Sequence, residues 1–177
     1  MPRIPYQPSD ISEATAVVTA IRARRGGNLL NLDRMLLHSP AFAKGWNAFF
    51  GEVRTGLELS PKLRELAMCV VAVLNGAEYE FHHHAQEFVK AGGTDEQVET
   101  LRNFETSGHP AWLFDVTERA VIQLTIEMTR NVKVSDTTFA AVGTALQNDQ
   151  LVVELVGGIA SYNMVSRFLV ALNIEPE

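Results

Sequence analysis

Apolar side chains recur at intervals of three and four along most of the chain, and glycine, proline and capping residues separate the stretches that carry this rhythm. A first helix is predicted over residues 12–25, closed by Gly26 and Gly27, and a second over 29–37, stopped at Ser39-Pro40. Residues 41–54 set Phe42, Trp46, Phe49, Phe50 and Val53 along one amphipathic stripe, which core packing explains. Ser60 and Pro61 open the next helix as N-cap and first-turn proline. It continues through an unbroken apolar run from Leu66 to Leu74 and is broken by Asn75-Gly76. A helix over 78–90 ends at Gly92-Gly93, and Thr94 with Gln97 three residues later reads as a capping box for a short helix to residue 103. Residues 104–116, with Ser107, Gly108, His109 and Pro110 together, form the predicted loop. Thr117 then caps a helix to residue 130, Ser135 caps another to 146, and a long apolar helix covers 150–172. In that last helix Gly157-Gly158 permits close approach of a neighbouring helix, within the chain or between subunits. No segment sustains the alternation of a strand, and there is no repeat, low-complexity tract or long linker. The expectation is a single all-α domain spanning residues 1–177.

Composition narrows the function classes. The net charge is −6, and the basic residues cluster only at Arg22, Arg24 and Arg25, so nucleic acid is not an expected partner. The longest apolar run is about half of the roughly 20 residues that cross a bilayer. The opening MPRIPYQPSD also lacks the apolar centre of a signal peptide, so no membrane partner and a cytoplasmic location are expected. The one cysteine, Cys69, excludes an intrachain disulfide and, inside the apolar run, reads as a small buried hydrophobe.

The ionisable groups concentrate in Asn75-Gly-Ala-Glu-Tyr-Glu-Phe-His-His-His84. On a helix over 78–90, the three-and-four rule puts Glu80, His83, His84 and Glu87 on one face. Glu80 falls in the first turn, where the helix dipole favours an anion, and His84 follows one turn later. Glu65, among apolar neighbours on the preceding helix, can be folded back towards them by the turn at Gly76. Two carboxylates and an imidazole in a buried setting are suited to general acid and base chemistry, because environment separates their proton affinities. The structural alternative is a dipole-favoured glutamate beside solvated histidines.

Metal binding is the rival reading. Adjacent histidines point about 100° apart around a helix, so His82, His83 and His84 cannot converge on one ion. Glu80 and His83 form a lone Glu-x-x-His pair where di-iron bundles need two. A mononuclear site from Glu65, Glu80 and His84 is chemically conceivable, but no metal and no cofactor is assigned. Nucleotide and serine-hydrolase motifs are absent.

Ser60-Pro-Lys-Leu-Arg-Glu-Leu-Ala, the Asn75–His84 stretch and Ala91-Gly-Gly-Thr-Asp-Glu-Gln together resemble the carboxymuconolactone decarboxylase family of the AhpD-like superfamily. His38-Ser-Pro-Ala-Phe, Trp46 and the final helix with Tyr162-Asn163 extend the likeness over nearly the whole chain. The resemblance implies an AhpD-like helical fold and assembly into trimers or hexamers. AhpD-type members carry a glutamate, a Cys-x-x-Cys at a helix start and a histidine four residues on; here those positions read Glu65, Ala77, Glu80 and His84. The missing cysteines disfavour a peroxidase or disulfide reductase. What the resemblance leaves is the decarboxylase branch: an acid/base enzyme acting on a small organic acid or lactone, with Glu80 as base, His84 as proton donor or relay and Glu65 orienting His84. Arg64 or Arg167 would supply positive charge for a carboxylated substrate. A non-catalytic, ligand-binding helical oligomer is the reading from another class.

Overall fold

A computed structural model describes residues 1–13, 15–104 and 109–177, and the regular elements among them are all α-helices. They are α1 (Thr15–Arg24), α2 (Asn31–Leu36), α3 (Pro40–Thr55), α4 (Pro61–Leu74), α5 (Glu78–Lys90), α6 (Asp95–Arg102), α7 (Val116–Arg130), α8 (Asp136–Leu146) and α9 (Asp149–Leu172). The chain forms two compact units, Met1–Leu57 with Ala171–Glu177, and Glu58–Val170.

In the first unit α1 and α2 both pack on α3. The aromatic stripe expected on α3 is only partly buried. Ala43, Trp46, Phe50 and Val53 face inward, whereas Phe42 and Phe49 are about half exposed and lean on Trp46 and Phe50 through edge contacts. The basic cluster is absorbed locally. Buried Asp33 caps α2 by accepting from the Leu30 amide at 3.1 Å, and it draws in Arg25 at 3.1 Å and Arg24 at 3.6 Å.

In the second unit α4 is central, packed against α5 and α7, and every residue from Leu66 to Ala72 is buried. Ser60 stands at its N-cap as expected, but its hydroxyl makes no capping bond. The break after α4 is a Schellman turn. The Ala77 amide donates to Ala72 O at 2.8 Å and the Gly76 amide to Val73 O at 3.2 Å, with Gly76 at φ 63°, a left-handed conformation suited to glycine. This turn reverses the chain and lays α5 back on α4.

Thr94 and Gln97 form the expected capping box on α6, and Ser135 caps α8. The cap of α7 differs from expectation. Asp115, not Thr117, holds the N-cap: it accepts from the Glu118 amide at 2.8 Å while Glu118 accepts from the Asp115 amide at 2.9 Å. Lys62 completes this buried node with a 2.7 Å ion pair to Glu118. Of the loop expected over 104–116, residues 105–108 lie outside the described residues.

Helix α9 is 24 residues long and apolar enough to cross a membrane by length and composition, and half of its most apolar window is buried inside the protein. Gly158 faces inward and Gly157 outward. A methyl added at either would meet no heavy atom within 4 Å, so neither glycine serves a close helix crossing within the described residues.

Candidate functional site

Glu65, Glu80 and His84 are all buried in the second unit, at 5%, 1% and 9% exposure. The Schellman turn brings the first, on α4, to the last, on α5: His84 Nδ1 lies 2.6 Å from Glu65 Oε2. Burial pushes the Glu65 carboxyl up, but the hydrogen bond from His84 and the charges of His84 and Arg64 outweigh it and hold the group below the usual carboxylate range. An ionised carboxylate only accepts, so Nδ1 carries the proton and proton exchange falls to Nε2. Tyr162 sets an edge-on ring against the imidazole, centroids 4.8 Å apart, and fixes its plane from the α9 side.

Glu80 occupies the third position of α5, in the dipole-favoured first turn. Its Oε2 accepts from Ser166 Oγ of α9, a fully buried hydroxyl. Both carboxylates act on a common neighbour: burial raises the Cys69 thiol well above its ordinary range, and the charges of Glu65 and Glu80 add to that. Cys69 therefore stays a protonated, inert thiol, as its place in the apolar run implied.

The common face expected for Glu80, His83, His84 and Glu87 divides. Glu87 is exposed and paired with Lys90 at 2.7 Å, because the buried stripe of α5 runs through Phe81, His84, Ala85 and Phe88 and leaves Glu87 at its edge. His82 is exposed, while His83 is half-buried against the Tyr79 ring at 4.6 Å. Among the described residues no group of three His, Cys, Asp or Glu side chains is arranged to hold a metal ion.

The two arginines separate as well. Arg64 places Nε and Nη2 each 3.3 Å from Glu65 Oε1 and is 12% exposed at its side chain. Arg167 turns instead to Asn163, donating Nη1 to its carbonyl at 2.9 Å and to its Oδ1 at 2.8 Å. Sequence reasoning missed Ser166, which the outline of α9 marks only as one more inward position. Two surface grooves of about 430 and 570 Å³ are lined by residues of the first unit and by none of these side chains.

Residues 40–109 match the sequence model of the carboxymuconolactone decarboxylase family. The matched stretch contains Glu65, Glu80 and His84. Among curated proteins none matches the chain. Solved structures reproduce its fold. The debrominase Bmp8, in a cysteine-to-alanine form bound to 2,3,4-tribromopyrrole, superposes with a TM-score of 0.80 at 16% identity, over 100% of this chain and 94% of that one. An uncharacterized peroxidase-related protein from Silicibacter sp. TM1040 gives 0.79 at 18% identity, over 99% and 94%. An alkylhydroperoxidase AhpD core protein from Ralstonia eutropha JMP134 gives 0.78 at 14% identity, over 99% and 92%. The carboxymuconolactone decarboxylase stretch is thus carried on an AhpD-like helical fold.

Proposed function

We propose that the chain is a carboxymuconolactone decarboxylase-like enzyme that uses Glu80, His84 and Glu65 for acid/base chemistry on a small organic acid or lactone. The observation that carries this reading is the buried 2.6 Å pair of Glu65 and His84, one helical turn from the buried carboxylate of Glu80. A carboxylate that fixes one imidazole nitrogen as donor leaves proton exchange to the other. Residues four apart on a helix have Cβ atoms about 6 Å apart, so base and acid stand side by side on one face of α5.

In this scheme Glu80 takes a proton from the carbon beside a lactone carbonyl, the electron pair moves into the conjugated system, and His84 delivers a proton at its far end. For a carboxylated substrate, cleavage of the C–CO₂⁻ bond releases CO₂ and leaves its electron pair on carbon, where the His84 proton is added. Arg64, paired with Glu65, or Arg167, held by the neutral Asn163, would offset the negative charge of such a substrate. The ligand named for the debrominase Bmp8 complex, a small halogenated ring, supports a substrate of that size class. Thiol redox chemistry finds no support, because the only cysteine is Cys69.

Turnover is tested with a panel of lactones and small carboxylic acids in D₂O, following deuterium incorporation by NMR and release of CO₂. Glu80→Gln should lower kcat/KM by about a hundredfold or more on any substrate found. If no member of the panel exchanges or reacts, and Glu65→Gln and Glu80→Gln both stabilise the fold, the chain is a non-catalytic helical protein.

A further inference from the structure

Ser166 reaches the centre from α9, an element of the second unit distant in sequence from the helices that carry Glu65, Glu80 and His84. A serine or threonine inside a helix ordinarily returns its hydroxyl proton to a carbonyl one turn earlier. Ser161 of the same helix does so, to Gly158 O at 2.8 Å, and Thr125 of α7 does so to Val121 O at 2.8 Å. Ser166 departs from that habit. It is fully buried and directs its hydroxyl across the helix interface to Oε2 of Glu80, itself 1% exposed.

A donor aimed at a carboxylate favours the charged form, and in a site with little water the effect is larger than on the surface. The geometry points to Ser166 as a positioning residue for the reaction: its hydroxyl, donated to Oε2, favours the ionised form of Glu80 and fixes the carboxylate for proton transfer. This inference rests on the acid/base reading of Glu80. The titratable and charged groups on the surrounding elements each have a named partner or environment. From α4, Glu65 and Arg64 pair with each other and Cys69 is a protonated thiol. From α5, His84 is bonded to Glu65 and His83 lies on Tyr79. From α9, Tyr162 packs on His84 and Arg167 is bonded to Asn163. Removing the Ser166 hydroxyl changes the environment of Glu80 without altering any charge.

The test reads Glu80 directly. Protein labelled with ¹³C at the glutamate carboxyls is titrated by NMR, with Glu80→Gln assigning the Glu80 resonance. Ser166→Ala should raise the Glu80 midpoint by about one pH unit, the size expected for loss of one charge-assisted hydrogen bond. Ser166→Cys, nearly isosteric with a weaker donor, should raise it by less. On any substrate the lactone and acid panel identifies, the acid limb of kcat/KM should move up by the same amount, with KM within about twofold. Thermal unfolding of each variant separates packing from positioning, since a purely structural serine changes the unfolding temperature and leaves the titration in place. An unmoved midpoint in an active enzyme overturns the role of Ser166 alone. A shifted midpoint in a protein that turns over nothing overturns the acid/base reading, and Ser166's part in it, while the coupling itself stands. Failure of both variants to unfold cooperatively makes Ser166 a packing residue and overturns the proposal.

Discussion

Glu65 is the residue on which the centre turns, because one carboxylate serves both Arg64 and His84. Replacing it with glutamine keeps an acceptor but removes the charge that Arg64 and His84 face. The expected loss is about 1.5–3 kcal/mol at pH 7, the range for a hydrogen bond to a charged group, read from urea unfolding. Its pH dependence has a definite sign. The folded carboxyl sits below its ordinary value of 4.5, so its contribution is complete above that pH and lost as pH falls through the lower folded value. The gap between wild type and Glu65→Gln should therefore close on acidification, and a gap that stays constant from pH 7 to pH 3 would show that folding does not lower the Glu65 carboxyl. The identities of Glu65, Glu80 and His84 were legible because helical spacing and the family resemblance both act over short stretches. Ser166 was not: 86 residues separate it from Glu80, and periodicity along α9 says that it faces inward without saying what it meets.

The elements are held by their ends, and two substitutions with opposite signs probe this. A methyl at Gly93 would come within 2.5–2.7 Å of three atoms of the Phe88 ring, which is fully buried and has no room to yield. Gly93→Ala should cost about 1–3 kcal/mol in chemical denaturation. Gly143, inside α8, has nothing within 4 Å of an added methyl, so Gly143→Ala should instead stabilise by about 0.5–1 kcal/mol. The α7–α8 junction adds a prediction in pH. Glu127 accepts from the Thr138 hydroxyl at 2.6 Å, the Ser135 amide at 2.7 Å and Gln123 at 3.0 Å, and these bonds lower its carboxyl to about 2. Glu127→Gln should lower the thermal midpoint at neutral pH, and the difference should shrink as pH falls from 4.5 towards 2. Helix existence was legible almost throughout, and misreadings fell at the termini. Asp115 and Thr117 are both capping residues, but only Asp115 has a glutamate three residues on, at Glu118, to close the box.

For the whole molecule, the family resemblance implies self-association, and α9 carries features that bear on it. Val153, Gly157, Ala160 and Met164 follow one another at spacings of four, three and four, so they share a face, and all four are exposed. Val153 is 69% and Met164 42% exposed, an apolar surface that a monomer leaves in water. Gly157 lies open between them, with no side chain of the same chain within 4 Å of an added methyl, and a helix of a second copy can approach closely there. The inward face of the same helix is already engaged, through Ser161, Tyr162, Asn163 and Ser166, so a charge placed on the outward face tests association without touching the acid/base centre. Light scattering at micromolar concentration should give a multiple of the 19.5 kDa chain mass. Val153→Glu with Met164→Glu should reduce it towards a single chain while leaving the helical circular dichroism unchanged. A wild-type chain that scatters as a monomer would remove the trimer or hexamer expectation, and an assembly that survives both glutamates would put its interface on another face.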